Sequence, residues 1–75
     1  MHIVDKELDV SGTSCPLPLI RVRQAVRALQ TGSILRVTGD DPIFEESIVD
    51  LCNESEFTVL EIIKLGRKVT ILIQM

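Results

Sequence analysis

Aromatic residues are scarce in this chain of 75 residues: tryptophan and tyrosine are absent, and phenylalanine occurs twice, as Phe44 and Phe57. Positive charge is also in short supply, with 8 Lys and Arg against 11 Asp and Glu, for a net charge of -3. A surface so poor in cations and stacking rings suits neither phosphate neutralisation nor base stacking, which excludes direct nucleic-acid binding. No apolar run reaches the roughly 18 residues needed to span a bilayer, which argues against a membrane role. The start, Met1-His2-Ile3-Val4-Asp5, lacks the basic region and apolar run of a signal peptide. Cysteine occurs twice, as Cys15 and Cys52, and histidine once, as His2. That is too little for a disulfide framework, and fewer than the three or four ligands that zinc requires. The expectation is a cytoplasmic protein with reduced thiols, no metal and no cofactor.

What the chain does have is aliphatic residues. Hydrophobic residues make up 45% of the sequence, enough for one small domain over residues 1–75, although a domain of this size buries only about 60% of its unfolded surface. Residues 5–10 alternate, with Leu8 and Val10 on one side and Glu7 and Asp9 on the other, which predicts a strand ending at Ser11-Gly12. From Pro16 to about Gln30 the period becomes helical: Leu19, Val22, Val26 and Leu29 form a stripe backed by Ala25, and Gly32 supplies the stop. Leu17, Ile20, Arg23 and Arg27 fall away from that stripe. Ser33 to Thr38 predicts a second strand closed by Gly39. Asp41 then reads as a helix cap and Pro42 as the first residue of a second helix reaching about Asn53, with Phe44, Ile48, Leu51 and Cys52 inward. Phe57–Leu65 and Lys68–Gln74 form a hairpin about Gly66-Arg67.

The order strand, helix, strand, helix, strand, strand predicts an α+β two-layer sandwich, βαβαββ, with a four-stranded mixed sheet and both helices on one face. If the first three strands run in parallel, their C-terminal ends share one edge, the usual place for ligands in such sheets. Three turns meet there: the turn before the first helix, the acidic Asp40-Asp41 turn, and the hairpin carrying Lys64, Arg67 and Lys68.

The first of these turns carries the chemistry. Gly12-Thr13-Ser14-Cys15-Pro16-Leu17-Pro18 places Cys15 at a helix cap, where unpaired N–H groups and the helix dipole favour thiolate over thiol. A functional thiol is preferred over a small buried apolar residue, because a cap ahead of two prolines is a poor place for burial. Cys52 is read the other way, as core, and at about 15 Å from its own helix start it lies too far from Cys15 for a disulfide. A hydrolase would need a histidine beside the thiol, and His2 opens the first strand at the opposite edge. Dithiol chemistry prefers a second cysteine three residues on, where Pro18 stands. What survives is a thiol that accepts a group and hands it on. Open alternatives are a non-catalytic regulatory or interaction module and a thiol redox sensor.

The residues Leu8-Asp9, Thr13-Ser14-Cys15-Pro16-Leu17-Pro18, Gly32 and Asp40-Asp41-Pro42 resemble, across nearly the whole chain, the TusA/SirA/YedF family of small sulfur-carrier proteins with a Cys-Pro-x-Pro motif. The resemblance implies that Cys15 carries sulfur as a persulfide, received from a cysteine desulfurase or rhodanese-like donor and passed to an acceptor protein. The pathways associated with the family are tRNA thiolation, molybdenum cofactor synthesis and sulfur oxidation. Pro16 and Pro18 match the motif prolines, and Asp40 and Asp41 the acidic pair. The segment Ile43-Phe44-Glu45-Glu46-Ser47 departs from the family in being bulkier and more acidic. Near a thiolate the two aspartates would oppose ionisation, so they are assigned to recognition or geometry. Leu17 and Ile20 are candidates for docking, Arg67 for partner contact, and the chain is expected to be a monomer.

Overall fold

Two periodicities lay out the molecule. In the computed structural model, which describes residues 4–13 and 17–75, alternating segments form β1 (Lys6–Asp9), β2 (Ile34–Gly39), β3 (Thr58–Leu65) and β4 (Lys68–Gln74), and the helical stripes form α1 (Leu17–Arg27) and α2 (Phe44–Ser55). The expected βαβαββ order is the order observed. The sheet runs β1-β2-β4-β3. β1 is parallel to β2, whereas β4 is antiparallel to both β2 and β3. Three strands therefore point the same way with β4 threaded between two of them, and their C-terminal ends share one edge.

Both helices bury their apolar stripes on one face of the sheet. Val22 and Ala25 of α1, and Phe44, Ile48, Leu51 and Cys52 of α2, pack with Leu35, Val37, Ile71 and Ile73. Each large side chain removed from water in this way contributes on the order of 1.5–3 kcal/mol. Cys52 is 1% exposed, as its place on the inward stripe predicts.

The element ends differ from the sequence reading, each for a local reason. α1 ends at Arg27 rather than Gln30. The N–H groups of Ala28 and Leu29 reach back three residues, to the carbonyls of Ala25 and Val26, which tightens the last turn out of α-helical geometry. Gly32, at φ +92, then turns the chain within a loop in which the Ser33 N–H donates to the Gln30 carbonyl. α2 starts at Phe44, not Pro42. Asp41 caps an entry turn instead of the helix proper: its Oδ1 accepts the Ile43 N–H at 3.0 Å, and its carbonyl accepts the Phe44 N–H at 3.0 Å. At the far end α2 continues to Ser55 rather than Asn53, and Glu56 closes it in the left-handed conformation, φ 61, with its N–H on the Cys52 carbonyl. β3 begins at Thr58 rather than Phe57, and its register slips between Val59 and Glu61.

Gly39 does not stop β2; it is the strand's last residue and is buried. A Cβ built there would come within 2.7 Å of the Phe44 ring. The glycine is required by the aromatic side chain that starts α2, which lies flat against the end of the strand.

Candidate functional site

Ser14, Cys15 and Pro16 lie outside the described residues, as does His2. The reading of Cys15 as a helix cap therefore lies outside them too. The residues on either side, Val10–Thr13 and the start of α1, are described, and they show how the turn is held.

The loop leaving β1 is fixed by side chains from both ends of the edge. The Val10 N–H donates to the Thr38 carbonyl at 2.8 Å, continuing the β1–β2 ladder by one step. The Ser11 N–H then donates to Asp9 Oδ1 at 2.9 Å. The Gly12 N–H donates to Asp40 Oδ1, also at 2.9 Å. Gly12 has φ +81, a conformation open to glycine without strain. Thr13 Oγ1 donates back to the Val10 carbonyl. Asp40 thus ties the turn after β1 to the turn after β2 across 28 residues of sequence. Of the two roles expected of Asp40, recognition or geometry, this bond is a geometric one.

The basic hairpin meets acidic side chains at this edge, at Glu45 and Asp9. Lys64, near the end of β3, pairs with Glu45 in the first turn of α2 at 2.8 Å. The Asp9 carboxyl is held below its ordinary range by Ser11, whose amide donates to it, with the Lys68 ammonium adding a smaller pull in the same direction. Arg67 stands exposed at the hairpin tip. Lys64 is therefore engaged within the fold, whereas Arg67 projects from it.

Pro18 is buried at the start of α1. Leu17 and Ile20 are exposed, at 39% and 46%, on the side of α1 away from its core stripe, as the 100° spacing predicts. Ile43, at 48%, opens the approach to α2 at the same edge. Sequence reasoning passed over Ile43, although its place between Pro42 and the inward Phe44 was a signal that could have found it. Arg23 and Arg27 are exposed and rim a groove of about 300 Å³ over Leu51 and Phe57, toward the opposite end of the helices. Cys52 has no part in this edge, and burial pushes its thiol pKa up to about 11. Among the described residues no cluster of side chains is suited to a metal ion, and no helix is long and apolar enough to cross a membrane.

The family model described as sulfurtransferase TusA matches residues 6–75. The chain belongs to the TusA family. Among curated relatives, a putative sulfur carrier protein of Aquifex aeolicus is 37% identical over 60 residues, which are 80% of this chain and 30% of that protein. The sulfur carrier protein TusA of Allochromatium vinosum is 45% identical over 38 residues, 51% of this chain and 50% of that one. The chain thus spans a third to a half of the length of these relatives. A crystal structure of a SirA-like protein from Desulfitobacterium hafniense superposes with a TM-score of 0.79 at 21% identity, covering 92% of this chain and 95% of that one. It establishes the TusA-like fold.

Proposed function

We propose that the protein is a sulfur carrier in which Cys15 accepts sulfane sulfur from a donor protein and delivers it to an acceptor. The observation that carries this reading is the family match over residues 6–75, which includes the Cys-Pro-x-Pro segment. The turn leading to that segment is tied at Gly12 to Asp40, which supports a fixed presentation of the cysteine. In the proposed step the Cys15 thiolate attacks the terminal sulfur of a donor persulfide, R–S–SH. A new S–S bond forms on Cys15 as the donor's S–S bond breaks, and the donor leaves as a thiol after taking up a proton. Sulfur changes hands without net oxidation, so neither cofactor nor metal is needed.

Among the described residues no histidine stands at this edge, so proton handling is assigned to the partners, a cysteine desulfurase or rhodanese-like donor and a downstream acceptor protein. Leu17, Ile20 and Ile43 are exposed apolar side chains at this edge, and we assign them, with Arg67, Asp40 and Asp41, to docking of these partners. The proposed setting is the cytoplasm.

The test is sulfur loading followed by intact mass. Incubation with a cysteine desulfurase and cysteine adds one sulfur atom to the wild type and to Cys52→Ser, and none to Cys15→Ser. Loading that survives Cys15→Ser refutes the assignment. Absence of loading in every form, with partner binding unaffected by Cys15→Ser, puts a regulatory module in its place.

A further inference from the structure

Two grooves lie side by side over the junction of α1 and α2. One, of about 300 Å³, is bordered by Arg23 and Arg27 over Val26, Leu51 and Phe57. The other, of about 230 Å³, is bordered by Arg23, Asp50 and Glu54 and again reaches Leu51. Because Arg23 and Leu51 belong to both, the two form one trough, with a basic bank on α1 and an acidic bank on α2. Each bank is a like-charge pair four residues apart, a spacing that sets the two charges side by side and weakens a helix. Neither bank is relieved within the fold. The ion pairs among the described residues join Arg36 to Glu7 and Lys64 to Glu45, so no guanidinium of one bank pairs with a carboxylate of the other, although both line the same trough. α1 contains no acidic residue and α2 no basic one. Arg27 suits the last turn of α1, where the helix dipole is negative. Glu54 meets the same end of the α2 dipole with the wrong sign, and no basic residue stands in that turn to offset it.

A ligand that settles both banks carries a negative and a positive charge close together, on a body apolar enough for a floor of Val26, Leu51 and Phe57. A free amino acid holds the two charges on one carbon, whereas a peptide separates its termini by at least one residue. A volume of about 300 Å³ is at the lower limit for small-molecule sites, which suits an amino acid and not a nucleotide. We propose that this trough binds a free α-amino acid with an apolar side chain. Arg23 and Arg27 receive its carboxylate, for which the guanidinium fork is the matching geometry. Asp50 and Glu54 receive its ammonium, and its side chain covers the apolar floor. The net charge of -3 gives the chain no general attraction for an anion, and a zwitterion needs none. The trough is toward the end of the helices away from the cysteine turn, so the proposal is independent of the sulfur-carrier reading.

The experiment is an amide chemical-shift titration of the full chain with L-leucine, carried to about 10 mM, with N-acetyl-leucine, leucinamide and leucyl-leucine as parallel arms. Expected are saturating shifts confined to the trough, at Arg23, Val26, Arg27, Leu51, Glu54 and Phe57, with a Kd of about 1 mM, the weak end of specific affinity. N-acetyl-leucine lacks the ammonium and leucinamide the carboxylate, so each binds at least about tenfold more weakly, the loss of one charged hydrogen-bonding group. Arg23→Gln and Glu54→Gln weaken leucine to a similar degree. Both residues are exposed, so these variants keep the fold, and the blocked ligands make the same test on the wild type. Absence of shifts up to 10 mM overturns the proposal. So does equal binding of the blocked forms, which leaves only an apolar contact, or shifts that appear around Leu17, Ile20 and Ile43 instead. Tighter binding of leucyl-leucine than of leucine also overturns it, since the site is then one for peptides.

Discussion

Asp40→Ala removes the side-chain hydrogen bond that, among the described residues, ties the turn after β1 to the end of β2. The bond is a backbone N–H on a carboxylate at 2.9 Å. Hydrogen bonds to charged groups are worth about 1.5–3 kcal/mol when well shielded. Because this one is near solvent, about 1 kcal/mol is the appropriate magnitude. If Asp40 acts only on this turn, that energy appears as a fivefold rise in local opening at Gly12, and hydrogen exchange of the Gly12 amide accelerates by the same factor. Global stability falls by up to the same 1 kcal/mol, a drop of about 4–8 °C in the thermal midpoint for a domain of this size. Asp40→Asn retains an oxygen acceptor and recovers part of both effects. Sulfur loading of Cys15 slows in Asp40→Ala and recovers in Asp40→Asn, while the backbone fold, read by amide chemical shifts outside the turn, is unchanged. The reasoning is refuted if Gly12 exchange in Asp40→Ala matches the wild type, or if alanine and asparagine behave alike.

Four other residues yield outcomes of their own. Gly39→Ala forces a Cβ into the Phe44 ring and destabilises the fold by about 1–3 kcal/mol in chemical denaturation, and adding Phe44→Leu relieves part of that loss. Glu56→Gly relieves a left-handed residue at the end of α2 and raises stability by up to about 1 kcal/mol, measured by the same method. The Cys52 thiol, at about 11 in the fold against 9.0 for an unperturbed thiol, keeps its proton where the unfolded chain has lost it. Stability contributed by the neutral thiol is thus fully present below pH 9 and declines as pH rises toward 11, a slope that Cys52→Ala flattens in alkaline unfolding titrations. Asp9 gives the opposite sign: its lowered carboxyl pKa adds stability above the ordinary carboxylate range that is lost as acid protonates it, and Asp9→Asn removes that part of the acid limb.

The helices, the hairpin and the inward residues of α2 were legible because each is written in a local period: Leu19, Val22 and Val26 at helical spacing, Lys68–Gln74 in alternation about Gly66-Arg67. The exposure of Leu17 and Ile20 came from the same count. The tethers were not legible. Asp40 and Gly12 are 28 positions apart, and nothing in either neighbourhood names the other. Gly39 was misread as punctuation because a glycine at a strand end normally is; its reason lies in the ring of Phe44, which only packing reveals. The placement of β4 between β2 and β3 was likewise outside the reach of any local signal, since strand order depends on pairings between distant segments.

That placement governs how the molecule is made. β4 supplies one side of both the β2 and the β3 ladder, and its neighbour Met75 adds two backbone bonds, donating to the Ser33 carbonyl and accepting from Gly32. Until Lys68–Gln74 has been synthesised, β3 has no sheet to join and Leu35 and Val37 lack the strand that carries Ile71 and Ile73. Folding therefore waits for β4 to emerge and then proceeds through long-range closure, which is slow for a domain of this size. A premature stop before Lys68 leaves a β1–β2 pair without the strand that carries Ile71 and Ile73, a fragment for proteolysis.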